Sequence, residues 1–198
     1  MSRGRQDALT VVKIGGSLAA FPQILDPICS AIGTAAPGRR LVIVPGGGPF
    51  AEAVREFDRV AGLSPDAAHW MAILGMDQYA HVLAGRIPGA VLVEEPGSIA
   101  EALGQGGVVV LAPSRWMRSA DVLPHNWNVT GDSIAAFVAG ALDAVRLILV
   151  KPVTGLADPV DPYFTTALPA GLPDSTVGAD CVEELNRQLS EETAGAGR

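Results

Sequence analysis

Short, almost purely apolar runs alternate along the chain with longer stretches in which apolar residues return every three or four positions. The runs at 10–14, 41–44, 90–93, 108–111 and 146–150 are built from Val, Ile and Leu with little polar alternation, the pattern of strands covered on both faces. The stretches between them predict helices over 22–32, 49–60, 65–84, 98–103 and 132–142. Pro22, Pro49 and Pro65 fall where a first-turn proline is tolerated. This alternation predicts the α/β class, a three-layer α/β/α sandwich around an open, mainly parallel sheet. Beyond Lys151 the pattern weakens: the proline-rich stretch 152–178 predicts a loop with short strands, and 179–189 predicts one last helix. The expected organisation is one domain over 1–189, followed by a disordered polar tail at 190–198.

Composition narrows the function classes. The 198 residues suffice for one domain with a full core. Fourteen basic against 21 acidic residues give a formal charge of −7. With no basic run, nucleic acid is not an expected partner. No apolar stretch is long enough to span a bilayer and the first residues carry no signal-peptide core, so no membrane partner and a cytoplasmic location are expected. Two cysteines form no CxxC, and three histidines lack ligand spacing, so no protein metal site is expected. Only two of the basic residues are lysines, Lys13 and Lys151, and both end strand-like runs. In an open parallel sheet, that edge is where ligands bind.

Two turns share one construction, a strand followed by clustered glycines and then a helix: Lys13-Ile14-Gly15-Gly16-Ser17 and Pro45-Gly46-Gly47-Gly48-Pro49. Glycine lets backbone N–H groups approach an oxyanion, and the helix N-terminus adds partial positive charge. Together with Lys13, the pair predicts phosphate binding. A Walker A loop is excluded, because Val residues precede both lysines. Gly46-Gly47-Gly48-Pro49-Phe50-Ala51 fits the G-x-G-x-x-A dinucleotide fingerprint, which also requires a second strand ending in an acid. The stretch 65–84 is helical in pattern instead, leaving an NAD(P)-binding oxidoreductase as a minor alternative.

Three segments, Val12-Lys13-Ile14-Gly15-Gly16-Ser17, Val44-Pro45-Gly46-Gly47-Gly48-Pro49-Phe50-Ala51 and Asn128-Val129-Thr130-Gly131-Asp132-Ser133-Ile134-Ala135, resemble in this order the amino acid kinase superfamily. His69-Trp70-Met71-Ala72-Ile73-Leu74-Gly75-Met76-Asp77-Gln78 and Pro124-His125-Asn126-Trp127 extend the resemblance toward its methanofuran-pathway kinases, including relatives in methylotrophic bacteria. The resemblance implies an ATP-dependent phosphotransferase acting on a small phosphomonoester, aminomethylfuranmethyl phosphate as the best substrate, with Mg2+ held by phosphates and water. A homo-oligomer is also implied. A same-fold nucleotide- or anion-binding protein without turnover is the alternative.

The resemblance implies catalytic roles for Lys13, Asp132 and Lys151. Lys13 would meet the nucleotide's terminal phosphates, and Gly15, Gly16 and Ser17 would donate N–H groups to the same oxygens. Asp132 would orient the lysines. Lys151 either supplies a second positive charge at the nucleotide or simply ends its strand, and Gly155 would border the nucleotide. Gly46, Gly47, Gly48 and Asn128 would hold the acceptor's side. Thr130 is the expected cap of the helix that Asp132 opens. Asp77 interrupts an apolar helical stripe, and a buried charge needs a partner: an arginine, water, or the acceptor's ammonium group. Arg115 and Arg118 either bind acceptor phosphate or are solvated, and His125 is expected first as a hydrogen-bonded structural histidine and only second as a residue of the acceptor pocket.

Overall fold

The computed structural model describes residues 8–152 and 160–191. Six strands form one sheet: β1 (Leu9–Ile14), β2 (Arg40–Pro45), β3 (Ala90–Val93), β4 (Val108–Leu111), β5 (Arg146–Lys151) and β6 (Asp174–Gly178). Their order is β3-β4-β2-β1-β5-β6, and every pairing is parallel. Every residue of β1 is buried, because it lies between β2 and β5 and is covered on both faces.

Alternate side chains of each strand enter opposite layers. Val12, Ile14, Leu41, Ile43, Ile148 and Val150 pack with α1 (Pro22–Ala35), the C-terminal half of α3 (Pro65–Arg86) and α8 (Val182–Ser190). Val11, Val42, Val44, Leu147 and Leu149 pack with α6 (Gly131–Ala141) and with Ile73 and Met76 of α3. That second layer also receives α4 (Ile99–Gly104), α5 (Ser114–Ala120) and α7 (Phe164–Ala167). The remaining helix, α2 (Gly48–Ala61), packs mainly on α3. α3 serves both layers, which explains why its apolar residues do not form one stripe.

The strand and helix pattern in the sequence is therefore realised, with ends shifted by a few residues. Three elements carried too little signal to be placed. α5 and α7 are only seven and four residues long, less than two full helical periods. β6 is an edge strand, Asp-Ser-Thr-Val-Gly, whose first three residues are not buried, so it has no apolar run. No helix among the described residues is long and apolar enough to cross a membrane.

Candidate active site

The alternation of β1 and β5 sets the site. Lys13 shares a sheet face with Val11, and Lys151 shares it with Leu147 and Leu149; this is the face that α6 covers. The two strands are neighbours, with Ile14 opposite Val150, so the lysines end adjacent strands on the same side. Asp132 enters from the first turn of α6. Its Oδ1 lies 2.8 Å from Lys13 Nζ, and its Oδ2 accepts a hydrogen bond of 2.8 Å from Lys151 Nζ.

All three side chains are buried: Lys13 is 6%, Lys151 4% and Asp132 3% exposed. Burial pushes the Asp132 carboxyl up, but the charge of Lys13 and the hydrogen bonds from both lysines outweigh it and hold the group below the usual carboxylate range. Two ammonium groups that would repel each other are thus held at one place by a shared carboxylate.

The two glycine turns meet here backbone to backbone. A Cβ on Gly16 would lie 2.1 Å from Gly48 N, and one on Gly46 would lie 2.4 Å from Gly16 N. Only glycine permits that approach, and Gly48 also has φ +57°. The N–H groups divide into two kinds. Gly15 N–H donates to Val150 O at 2.8 Å and Gly46 N–H to Ile14 O at 2.8 Å, extending the sheet by one residue. Gly15 is therefore corrected from an anion donor to a sheet-bonded residue. Gly16 and Ser17 begin a 3-10 turn and Gly48 begins α2, positions without intrahelical acceptors. Their N–H groups are the ones available to a ligand.

A cavity of about 800 Å³ opens over these turns, within the range of small-molecule sites. Lys13, Gly16, Ser17, Gly46, Gly47, Gly48 and Gly131 line one end, and Ala68, His69, Ala72, Ile73 and Met76 of α3 line another wall. The segment before α6 closes over it and is fastened twice. Trp127 Nε1 donates to Asp58 Oδ2 of α2 at 2.8 Å, with the Arg55 guanidinium 4.4 Å from the Trp127 ring centre. His125 bonds Asp66 of α3 at 2.7 Å.

Behind Asp132, Asp161 fixes the start of α6. Its carboxylate accepts from Thr130 N at 2.9 Å, Thr130 Oγ1 at 2.8 Å, Ser133 N at 3.0 Å, Tyr163 N at 3.2 Å and Ser133 Oγ. Thr130 does occupy the N-cap position, but its hydroxyl donates to Asp161 and accepts no helix N–H. Asp161 lies in the proline-rich stretch, where no periodicity marks it as part of a site.

Other expected site residues fall elsewhere. Asp77 accepts the Ser114 N–H at 3.0 Å at the start of α5 and does not line the cavity. Burial pushes its carboxyl up, partly offset by the hydrogen bonds from Ser114. The partner that a buried charge requires is thus a helix end, and the ammonium role is not carried forward. Asn128 is exposed and bonds through its backbone, its N–H donating to Asn126 Oδ1 and its carbonyl accepting from Tyr163. Arg115 pairs with Glu94 at 3.1 Å and Glu95 at 3.0 Å, and Arg118 lies 4.4 Å from the Trp70 ring centre; neither lines the cavity. Lys151 reaches Asp132 from outside the cavity lining. Thr154 and Gly155 lie outside the described residues.

The same arrangement excludes the dinucleotide fold. After the Gly46–Gly48 turn, α2 is followed directly by α3, with no second strand to present a ribose-binding acid.

An open parallel sheet, paired glycine turns and two cations at its carboxyl edge define a protein that binds phosphoryl groups. Residues 8–163 match the amino acid kinase family, and the chain belongs to that family: it is a kinase, a phosphotransferase of this fold. Over 150 residues it is 31% identical to the [5-(aminomethyl)furan-3-yl]methyl phosphate kinase of Methanocaldococcus jannaschii, covering 75% of this chain and 68% of that one. The crystal structure of uridylate kinase from Archaeoglobus fulgidus superposes with a TM-score of 0.58 at 25% identity, covering 76% of this chain and 67% of the other. UMP kinase from Ureaplasma parvum shares the fold, with a TM-score of 0.55 at 15% identity over 73% and 66% of the two chains. The chain thus spans about two thirds of the length of each relative.

Proposed function

We propose that this kinase transfers the γ-phosphoryl group of ATP to a small phosphomonoester, forming a diphosphate, with [5-(aminomethyl)furan-3-yl]methyl phosphate as the best acceptor. The observation that carries this reading is the buried Lys13–Asp132–Lys151 bridge beside the two glycine turns. Phosphoryl transfer needs charge neutralisation and alignment more than covalent help from the protein. In this reading Lys13 meets the equatorial oxygens of the transferred group, and Lys151 adds a second charge from β5. The Gly16, Ser17 and Gly48 N–H groups supply donors in fixed directions. Asp132, an anion, does not touch phosphate favourably; it keeps both ammonium groups aimed.

An ionised phosphate acceptor attacks the γ-phosphorus in line without losing a proton, so the mechanism requires no general base. Among the described residues no cluster of three His, Cys, Asp or Glu could hold a metal ion. In this reading Mg2+ enters with the nucleotide, held by phosphates and water and neutralising their charge. The amino acid kinase resemblance also supports a homo-oligomer.

The test is a coupled assay of ADP release over a panel of small phosphorylated acceptors. ADP release by the wild type depends on acceptor, and Lys13→Ala lowers kcat by about 10³-fold, the scale of removing one preorganised charge from a transferring phosphoryl group. Undiminished turnover in Lys13→Ala overturns the mechanism. ATP binding without turnover on any acceptor overturns the function.

A further inference from the structure

His69 is more than nine-tenths buried, at 8% exposed, and lines the cavity. Among the described residues no hydrogen bond engages either of its ring nitrogens. Its nitrogens are not among the fully enclosed side-chain atoms that lack a partner, so they keep access to open space at the cavity wall. The ring is nevertheless held firmly. It stacks on His125 with centroids 4.1 Å apart and an interplanar angle of 19°, and Trp70 closes edge-on against both imidazoles at 4.9 and 5.0 Å.

Both nitrogens of His125 contact carboxylates, Asp66 at 2.7 Å and Asp121 at 2.9 Å, and its pKa is raised, first by the Asp66 bond. His69 is its neutral counterpart: burial, then the charge of His125, pushes its pKa down to about 4. Asp66 and Asp121 thus bring two carboxylates against His125, although neither lines the cavity. The lining also contains Glu52 and Asp58 with one cation, Arg55, 3.5 Å from Glu52, whereas Lys13 and the glycine turns form the other end. A cavity polarised in this way suits a ligand with an anionic end and a cationic end.

We propose that His69 recognises the acceptor, its free imidazole nitrogen accepting a hydrogen bond from a protonated amine on the end distant from the phosphate. This rests on the reading that the cavity takes a phosphomonoester acceptor, and it moves the ammonium contact from Asp77 to His69 on the same helix. The competing account is that water serves the imidazole. A void of about 10 Å³ bordered by His69 is at the lower limit for one water molecule.

Two acceptors distinguish these accounts: the aminomethylfuranmethyl phosphate, and the same compound with methyl in place of aminomethyl. His69→Phe raises the KM of the amine acceptor about tenfold, the scale of one lost hydrogen bond to a charged group. It leaves the KM for ATP and for the methyl analogue unchanged. His69→Gln, whose amide oxygen also accepts, recovers most of the loss. Equal losses on both acceptors would mean a structural role, and no loss on either would mean that water serves the ring; each overturns the proposal. If the wild type turns over neither acceptor, the function proposed above has failed. Calorimetric binding of the same two compounds to wild type and His69→Phe then decides the His69 contact by the same criterion.

Discussion

Asp132 and Asp161 are buried at the same end of α6, at 3% and 8% exposure, yet they are neutralised by different means. Asp132 is met by two ammonium groups on long side chains from β1 and β5. Asp161 is met by three backbone N–H groups and two hydroxyls from residues that cannot move without moving the chain. The first arrangement is adjustable: a phosphate entering the cavity can take over part of the work of the carboxylate. The second is a rigid cap that sets where α6 begins, and so where Asp132 stands. On the function proposed here one carboxylate serves the ligand, while the other serves the backbone, and the identity of the donors tells them apart.

The largest effect expected from breaking this distinction follows Asp132→Asn. Without its charge the lysines lose their shared anchor, and kcat falls by about 10²–10³-fold. The variant also loses stability, because two buried ammonium groups face each other. Saturating ATP raises its Tm by more than it raises that of the wild type, because the triphosphate replaces the missing anion. Equal Tm shifts in a thermal-shift comparison would mean that the lysines do not reach the nucleotide. The pH dependence has a definite sign. The Asp132 carboxyl is depressed in the folded protein, so its stabilising contribution is complete above the unfolded value of about 3.9. It is lost as pH falls through the depressed native value, and the pH–kcat profile therefore shows no acid limb from this group above pH ~4.

Next in size is Asp161→Asn, which turns at least one acceptor oxygen into a donor facing donors. It costs about 2–4 kcal/mol of stability and lowers Tm by roughly 5–15 °C. ATP raises its Tm by no more than it raises that of the wild type. A Tm shift as large as that of Asp132→Asn would erase the distinction between the two carboxylates.

The smallest effect is expected at a third carboxylate, Asp77, which also holds a helix end but with one N–H. An amide oxygen accepts from Ser114 equally well, so Asp77→Asn leaves the acceptor KM unchanged. Burial raises the native Asp77 pKa, so stability falls as pH rises from the unfolded value toward that raised value. Asp77→Asn abolishes that fall, and thermal melts in the two variants between pH 4 and pH 7 measure it. An acceptor KM raised tenfold by this substitution would return the ammonium contact to Asp77 and remove it from His69.

The sequence by itself determined the buried strands, the two glycine turns and the placement of Lys13 and Lys151 at strand ends. These follow from local rules: apolar runs, the two-residue period that puts both lysines on the α6 face, and the demand for residues without Cβ at a turn. The tertiary structure alone decided which groups meet. Asp132 bridges lysines from two strands, Asp161 caps a helix from 28 residues downstream of Ser133, and Ser114 takes the carboxylate of Asp77 from 37 residues away. His69 becomes a candidate ligand group only because α3 and the segment before α6 stack its ring against His125. Periodicity records which way a side chain points from its own element, whereas a hydrogen-bond partner depends on the packing distance between elements, which no local pattern encodes.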